Sequence, residues 1–138
     1  MNGKLFVDTS AWFAFFDRGS REHAAVVRTL TSWGGRLVFT DYILDELLTL
    51  VRVRAGHRIA VRVGEVLLSG DAGLLVEVEA RDFHAAWELF RTQEDKGYSF
   101  TDCTSFAVMN RLGIRTAAAL DRHFARAGFD VLPDTGAR

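Results

Sequence analysis

Strand-like and helix-like segments alternate along the whole sequence, which predicts an α/β fold of three layers, α/β/α, with a mostly parallel central sheet of about five strands. Two observations carry this prediction: short, continuously apolar runs typical of buried parallel strands, and amphipathic stretches of helical periodicity between them. The chain has 138 residues, of which 49% are hydrophobic, so it is long enough for one core and too short for two ordinary domains. We therefore expect a single domain over residues 1–138.

The strand signals come in an order that a parallel sheet with right-handed crossovers can accommodate. The run 5–7 is apolar at every position, without an alternating polar face, and is predicted to be a buried strand. The run 116–120 consists mostly of small side chains, so its prediction as a strand is the weaker one. Strands are predicted over residues 5–7, 36–40, 74–78, 116–120 and 129–132.

Helix signals fill the intervals between the strands. Helices are predicted over about residues 11–16, 20–33, 42–54, 59–69, 83–90, 99–113 and 122–127. Ser20 and Asp41 are the predicted N-caps of the second and third helices, and Ser99 or Thr101 opens the sixth. In the second helix the residues assigned to core packing are Ala24, Val27, Leu30 and Trp33. The fifth helix carries an aromatic face of Phe83, Trp87 and Phe90.

Composition excludes several classes of protein. The net charge is −1, with 17 basic and 18 acidic side chains, so no overall field draws the chain to nucleic acid or membrane, and any such contact must be local. A lone cysteine, Cys103, rules out an intrachain disulfide framework and fits a reducing compartment. The sequence shows no charged leader and no apolar run approaching about 18 residues. We therefore expect a cytoplasmic protein without membrane association.

Four acidic residues occupy comparable places in this pattern. Asp8 follows the first strand, Asp121 follows the fourth, Glu46 lies in the helix after the second strand, and Asp102 lies in the first turn of the sixth helix. The carboxyl ends of parallel strands meet at one edge of a sheet, where ligands bind. We therefore expect these four carboxylates to converge there.

Four converging carboxylates repel one another unless a cation supplies the missing charge. Hard oxygen ligands at this density suit Mg²⁺ or Mn²⁺, which keep part of their water shell and also bind phosphate oxygens. Such a site can polarise a phosphodiester and activate a water for in-line attack. Metal-assisted phosphodiester hydrolysis is therefore the hypothesis that this pattern favours.

Each acid also has a structural interpretation, which stays open at this point. Asp8 and Asp121 can simply cap the helices that follow them. Ser99-x-x-Asp102 has the form of a capping box with Asp in the Glu position. Glu46 can border the buried face of its helix, and an exchange of roles with Asp45 is not excluded. His123, two residues after Asp121, could contact substrate or metal, and a partly exposed helix histidine is the favoured interpretation.

The motifs at these acids resemble those of the PIN domain, and most of all its VapC-type ribonuclease toxins. The segments concerned are 5–11 (LFVDTSA), 40–46 (TDYILDE), 99–109 (SFTDCTSFAVM), 120–124 (LDRHF) and 128–129 (GF). The resemblance is ordered along the chain and spans residues 5–132, and its first and third motifs are the most specific.

The resemblance implies an acidic quartet of Asp8, Glu46, Asp102 and Asp121 around Mg²⁺ or Mn²⁺, with Asp8 and Asp102 as the surest ligands and Ser10 and Thr101 as supporting hydroxyls. It also implies cleavage of RNA and a cognate antitoxin that blocks the site. One position departs from the pattern, because Ala119 stands where similar sequences place Thr or Ser. A supporting hydrogen bond is therefore expected to be missing, which leaves open whether Asp121 ligates the metal directly.

Two surfaces are candidate contacts for partners. A basic set over two helices is predicted to meet RNA phosphates, with an ordinary solvated surface as the alternative; we call it the arginine patch, and it comprises Arg52, Arg54, Arg58 and Arg62. The helices over 42–67 are more apolar than one inward stripe requires, since they carry Val53, Val61, Leu67 and Leu68. They are expected to form a homodimer or antitoxin surface.

Rival functions fit the pattern less well. A signalling receiver domain would need a Lys after a late strand, and an aspartyl-nucleophile phosphatase would need an acid two residues after Asp8, where Ser10 stands. The alternative that remains is a non-catalytic PIN-like module that binds RNA or protein. Metal affinity without cleavage would mark that case.

Overall fold

The computed structural model describes residues 3–134, and within them the chain forms five strands and seven α-helices. The strands are β1 (Lys4–Val7), β2 (Arg36–Thr40), β3 (Leu74–Val76), β4 (Thr116–Ala118) and β5 (Asp130–Leu132). The helices are α1 (Thr9–Phe16), α2 (His23–Ser32), α3 (Asp41–Ala55), α4 (His57–Leu68), α5 (Ala80–Thr92), α6 (Phe100–Leu112) and α7 (His123–Arg126), and a 3-10 turn covers Glu94–Lys96. None of the helices between residues 3 and 134 has the length and hydrophobicity that a membrane crossing requires.

The five strands form one sheet in the order β3-β2-β1-β4-β5, and all four pairings are parallel. The predicted α/β fold is confirmed. The chain runs outward from β1 to β3 and then returns to β4 on the other side of β1. Val7 pairs with Ala118, and the Asp8 N–H donates to the Ala118 carbonyl at 2.9 Å. The point where the strand order reverses therefore lies between the ends of β1 and β4, which is where open parallel sheets form ligand crevices.

The core is centred on β1, whose Leu5, Phe6 and Val7 are fully buried as their continuous apolar run predicts. The ring of Trp12 packs edge-on against Phe39 at a centroid distance of 5.6 Å. Aromatic side chains thus join α1 to β2 beneath the carboxyl edge of the sheet. This packing holds the first turn of α1, where Asp8 lies, in a fixed position.

Three strands are shorter than the sequence predicts. β3 ends at Val76 instead of 78, β4 ends at Ala118 instead of 120, and β5 begins at Asp130. After β3 and β4 the chain leaves the sheet to form loops at its carboxyl edge. Ala119 still donates its N–H to the Leu132 carbonyl at 3.0 Å, so the loop after β4 starts from a firmly held position.

The start of α2, the N-cap of α3 and one core stripe differ from prediction. α2 begins at His23 because residues 18–22 form turns. Its buried residues are Val26 and Leu30, whereas Ala24 is exposed, so the predicted stripe is wrong at that position. The N-cap of α3 is Thr40, whose Oγ1 accepts from the Ile43 N–H at 3.1 Å.

Asp41, which the sequence predicts as that cap, is the first helical residue of α3. Its Oδ1 accepts from the Val78 N–H at 2.9 Å and so ties down the loop before α5. Thr40 caps instead because its backbone is extended, with φ −110° and ψ 167°, which aims its hydroxyl at the open end of the helix.

The outer helices expose apolar side chains. On α3 and α4, Val53, Val61 and Leu68 are exposed, while Leu67 is buried in the core and belongs to the inward stripe. On α5 the aromatic face of Phe83, Trp87 and Phe90 is exposed, and the helix buries Asp82 and Ala86 instead. Both surfaces are therefore available for contacts with other molecules.

Candidate active site

Asp8 both caps a helix and lies at the site. It ends β1 with extended backbone, and its Oδ2 accepts from the Ser10 N–H at 3.2 Å and from Ser10 Oγ at 2.7 Å. Its side chain is nearly buried, and it lies in the electrostatic field of Asp102 and Asp121. The capping role and the site role are therefore compatible, because the cap uses only one of the two carboxylate oxygens.

Asp102 is held in the first turn of α6 by a capping box. Ser99 Oγ accepts from the Asp102 N–H at 2.9 Å, and Asp102 Oδ2 accepts from the Ser99 N–H at 3.0 Å. The same oxygen lies 2.7 Å from Nδ1 of His123. This carboxylate is buried, and hydrogen bonds hold it on two sides. Its side chain therefore loses little further conformational entropy when a ligand binds.

Asp121 lies in the loop between β4 and α7. Its Oδ1 accepts from the His123 N–H at 2.9 Å, which fixes the start of α7. Ligand atoms of Asp102, Asp121 and His123 all lie within 4.8 Å of one another. The end of β4 and the start of α6 therefore bring two carboxylates and one imidazole to the same place.

Glu46 reaches the site from α3. Thr9 Oγ1 donates to Glu46 Oε1 at 2.5 Å, which joins the second turn of α3 to the residue that follows Asp8. Glu46 is half-buried, whereas its neighbour Asp45 is exposed. Of the two adjacent acids, Glu46 is the one that contacts the residue next to Asp8.

Ser10 links two of the acid-bearing loops. Besides donating to Asp8, its Oγ accepts from the Leu120 N–H at 3.0 Å. The side chain of Ala119 is buried and brings no hydroxyl of its own. The loop that carries Asp121 is nonetheless tied to the end of β1, so part of the support that Ala119 lacks comes from the serine on the neighbouring loop.

Thr101 is the other hydroxyl residue that is predicted to support the site. It is half-buried in the first turn of α6, and its backbone carbonyl accepts from Thr104 Oγ1 at 2.7 Å. Across residues 3–134, its own hydroxyl forms no hydrogen bond. Its role at the site stays a prediction.

Burial and negative charge together perturb Asp8. Burial raises the pKa of the Asp8 carboxyl from 3.8 to about 7, with further increases from the charges of Asp121 and Asp102, while the hydrogen bonds from Ser10 act in the opposite direction. Without a cation, the site therefore holds a carboxyl that ionises only near neutral pH. A divalent ion beside it would reverse this balance by supplying positive charge.

The donor set suits a divalent metal ion. It consists of one oxygen each from Asp102 and Asp121 and one imidazole nitrogen from His123. Asp8 feels the charge of both aspartates and keeps one oxygen outside its capping bonds. Carboxylates in this number are the ligands that Mg²⁺ and Mn²⁺ prefer. The acidic cluster therefore has the chemistry of a metal-binding site.

Sequence reasoning gave too little weight to two residues. His123 is the partly exposed helix histidine that the sequence predicts, but it also contacts Asp102. Thr9, which the sequence does not mark as a site residue, contacts Glu46. The sequence feature that could have identified them is their distance from a predicted site residue. Each lies within two residues of an acid, in a short turn that begins a helix. In such a turn, neighbouring side chains share one crevice.

The arginine patch lies on the second half of α3 and the first half of α4, and all four of its side chains are exposed. Arg52 Nη1 lies 2.8 Å from Nδ1 of His57, and the guanidinium of Arg54 lies 5.8 Å from the centre of the Phe13 ring. The contact of this patch with RNA stays a prediction.

Comparison with known proteins places this fold and site in a family. The PIN domain family profile matches residues 5–130. The chain is 38% identical over 132 residues to the 23S rRNA-specific endonuclease VapC20 of Mycobacterium tuberculosis, covering 94% of this chain and 99% of that protein. It is 31% identical over 122 residues to Ribonuclease VapC26 of the same organism, covering 88% and 90%.

Solved structures agree with these sequence relationships. The crystal structure of Mycobacterium tuberculosis VapC20, described as a sarcin-ricin loop cleaving toxin, superposes with a TM-score of 0.85 at 38% identity, covering 91% of this chain and 95% of that one. VapBC2 from Rickettsia felis, bound to a promoter DNA fragment, matches with a TM-score of 0.68 at 12% identity, covering 93% and 96%, and so shares the fold. The chain therefore belongs to the PIN-domain family and is homologous to the VapC ribonucleases.

Proposed function

We propose that this protein is a metal-dependent ribonuclease of the VapC type, acting as the toxin of a toxin–antitoxin pair. The observation that supports the proposal is the proximity of Asp8, Asp102 and Asp121 at the edge of the sheet where the strand order reverses. Glu46, hydrogen-bonded to Thr9 next to Asp8, is proposed as the fourth acid of the site. The family relationship gives this cluster its chemistry, since VapC20 and VapC26 are named as an endonuclease and a ribonuclease.

The ion is proposed to be Mg²⁺ or Mn²⁺, held by Asp8 and Asp102, with Glu46 and Asp121 as further ligands or as anchors for its water. When bound, such an ion would supply Lewis-acid chemistry, polarising a phosphodiester and activating a water for attack. The residues of the chain orient this chemistry. Asp102 is held by hydrogen bonds with Ser99 and His123, and Asp8 is held by a hydrogen bond from Ser10.

The N-termini of two helices would add favourable electrostatic interactions with the substrate phosphate. α1 begins directly after Asp8, and α6 begins two residues before Asp102, so both helix N-termini lie beside the acids. Their free N–H groups and dipoles favour a phosphate group there. The arginine patch is proposed to bind more distant phosphates of the same RNA.

The first RNA to test is 23S rRNA and its sarcin-ricin loop, because VapC20 is named for that substrate. The proposed partner in the cell is a cognate antitoxin, and the proposed compartment is the cytoplasm. The apolar groove between α3 and α4, about 540 Å³ in volume and lined by Leu48, Val61 and Leu68, is a proposed antitoxin surface.

The decisive experiment compares the parent protein with an Asp102→Asn variant on structured RNA in Mg²⁺ or Mn²⁺, with and without EDTA. Asp45→Asn is the matched control, because it removes an exposed acid next to Glu46. We expect cleavage by the parent and by Asp45→Asn, abolished by EDTA and lost in Asp102→Asn. Cleavage that persists in Asp102→Asn would contradict the assignment of the site.

The alternative, a non-catalytic PIN-like module that binds RNA or protein, gives a different result. The parent protein would then be stabilised against heat by Mg²⁺ or Mn²⁺, and Asp102→Asn would not, but neither would cleave RNA. Metal binding and cleavage are therefore measured on the same samples.

A further inference from the structure

A cavity of about 260 Å³ lies where the end of α5, the segment before α6, and α7 meet α6. We call it the α6–α7 cavity, and among the residues that line it are Gln93, Lys96, Tyr98, Asn110, Arg126 and Phe129. Within residues 3–134, its lining shares no residue with the acidic cluster or the arginine patch. Its volume is slightly below that of pockets for drug-sized ligands, which suits one group of the size of a nucleobase.

Aromatic rings form the floor of the α6–α7 cavity. Phe106, which also lines it, packs against Tyr98 at a centroid distance of 5.0 Å and against Phe129 at 5.6 Å. Tyr98 and Phe106 are buried, and Phe129 is half-buried, so packing holds the three rings in place while one keeps surface for a ligand. Unpaired bases of RNA stack on aromatic side chains, because every base has a π-face. The floor therefore suits a base.

Two cations of the lining have no acidic partner. Lys96 is half-buried in the 3-10 turn, and Arg126 is exposed at the end of α7. Within residues 3–134 neither forms an ion pair, in contrast to Arg91 of α5, which pairs with Glu88 at 2.8 Å. Unpaired cations can replace the counterions of a phosphate without losing a partner. The cavity therefore also suits a phosphate group beside the base.

Two side-chain amides of the lining are free to pair with a base. Gln93 follows α5 and is half-buried, and Asn110 lies in the last turn of α6 and is exposed. Neither amide group forms a hydrogen bond with any residue between positions 3 and 134. An amide offers a donor and an acceptor side by side, which is the pattern that pairs with the edge of a nucleobase.

The α6–α7 cavity adjoins the acidic site. The ring of Tyr98 contacts the ring of His123 at a centroid distance of 5.6 Å, and Nδ1 of His123 lies 2.7 Å from Oδ2 of Asp102. The Tyr98 hydroxyl lies in the electrostatic field of Arg126, at the cavity, and of Asp102, in the site. A ligand in the cavity is therefore separated from the acids by only two side chains.

We propose that the α6–α7 cavity binds one unpaired nucleotide of the RNA substrate, beside the phosphodiester that the acidic site cleaves. The base lies on the aromatic floor and pairs with Gln93 or Asn110, and the phosphate binds Lys96 and Arg126. Because amides read the edge of the base, the cavity contributes to the choice of cleavage site. The proposed ribonuclease function supplies the source of the nucleotide, whereas binding in the cavity does not depend on cleavage.

The first test measures binding of AMP, adenosine and ribose 5-phosphate to the full chain by calorimetry and by backbone amide NMR. The buffer is stripped of divalent ions, so that no metal draws the phosphate to the acidic site. We expect AMP to shift the amide signals of Tyr98, Asn110 and Ala127, which line the cavity. AMP should also bind more tightly than either fragment, because only AMP contacts the floor, the amides and the cations together.

Two variants separate the contacts of the phosphate from those of the base. Lys96→Gln should weaken AMP binding by about tenfold and leave adenosine binding unchanged. Asn110→Ala should weaken AMP binding by about threefold and leave ribose 5-phosphate binding unchanged. Arg91→Gln is the matched control, because it removes a cation of α5 that is already paired with Glu88 and lies outside the lining. None of these changes removes a residue of the core, so all three variants should fold like the parent.

The second test measures the affinity of the same proteins for a structured RNA in the metal-free buffer, where no cleavage takes place. Lys96→Gln and Asn110→Ala should both bind the RNA more weakly than the parent and Arg91→Gln. In Mg²⁺ both should raise KM for cleavage with little change in kcat, since they remove binding that the ground state and the transition state share. Weaker RNA binding in both variants supports the inference even where no protein cleaves RNA, so its failure and that of the proposed function are distinguishable.

Three results would overturn the proposal. The first is the absence of AMP binding, or amide shifts confined to residues of the acidic site. The second is AMP binding that neither Lys96→Gln nor Asn110→Ala weakens relative to Arg91→Gln. The third is weaker AMP binding in both variants with unchanged affinity for RNA, which would assign the cavity to a free nucleotide instead of the substrate.

Discussion

Replacing Asp8 by Asn should stabilise the metal-free protein at alkaline pH, even though it removes a residue of the site. Burial and neighbouring acids raise the pKa of Asp8 from 3.8 to about 7 in the folded state. Between these values the native state binds more protons than the unfolded state, so the free energy of unfolding falls as pH rises. The difference corresponds to about 4 kcal/mol of destabilisation, complete above about pH 7 and absent below about pH 4.

The measurement is urea unfolding of the parent and Asp8→Asn in EDTA at several pH values. Because an amide oxygen still accepts the hydrogen bonds of Ser10, the cap is kept. The difference in free energy between the two proteins should grow toward about 4 kcal/mol in favour of Asn between pH 4 and pH 8. The exposed control Asp45→Asn should show a flat difference.

Two outcomes would refute this reasoning. A difference between Asp8→Asn and the parent that does not change with pH would show that Asp8 ionises normally in the folded state. A difference that changes in favour of the parent as pH rises would show that its carboxylate is stabilised rather than repelled. Added Mg²⁺ should reverse the order of stability at pH 8, since only the parent keeps the full set of acids.

Three further changes test other parts of the structure. Ser10→Ala should lower the free energy of unfolding by about 1–3 kcal/mol, because the Leu120 N–H loses its acceptor, and should weaken metal binding measured by calorimetry. Arg111→Met should cost about 3–5 kcal/mol in urea unfolding, because it leaves the buried Asp82 carboxylate without its bidentate partner. Replacing the four residues of the arginine patch by Gln should weaken RNA binding and flatten its salt dependence, and an unchanged salt slope would remove them from the RNA path.

The fold and the identity of the acids were predictable because they depend on local patterns. Continuous apolar runs indicate buried strands, and helical periodicity between them indicates crossovers, so the three-layer α/β fold follows without knowledge of any contact. The position of an acid directly after a strand is also a local property. For this reason Asp8 and Asp121 could be placed at the sheet edge from their neighbours alone.

Helix faces were harder to predict because their burial depends on the partner helix. The stripe of α2 is rotated so that Val26 faces inward and Ala24 outward. On α5, the largest apolar residues are exposed while Asp82 is buried. Helical periodicity predicts that a helix has an apolar face. Whether that face is buried depends on packing against elements that are distant in the chain.

Two capping boxes illustrate what the sequence by itself determined and what only the tertiary structure decided. Glu79-x-x-Asp82 and Ser99-x-x-Asp102 each place an Asp at the third position of a helix, and the structure has the reciprocal hydrogen bonds of a capping box in both. Asp82 meets Arg111, which outweighs the effect of burial and holds the pKa of that carboxyl below its usual range.

Asp102 meets His123 and two further acids instead, and so becomes part of a site that attracts a cation. The hydrogen bonds of a capping box join residues three positions apart, so they depend on the local sequence alone. The charges around each carboxylate belong to residues that the strand order brings together from distant parts of the chain. The electrostatic environment of each carboxylate is therefore determined only by the tertiary structure.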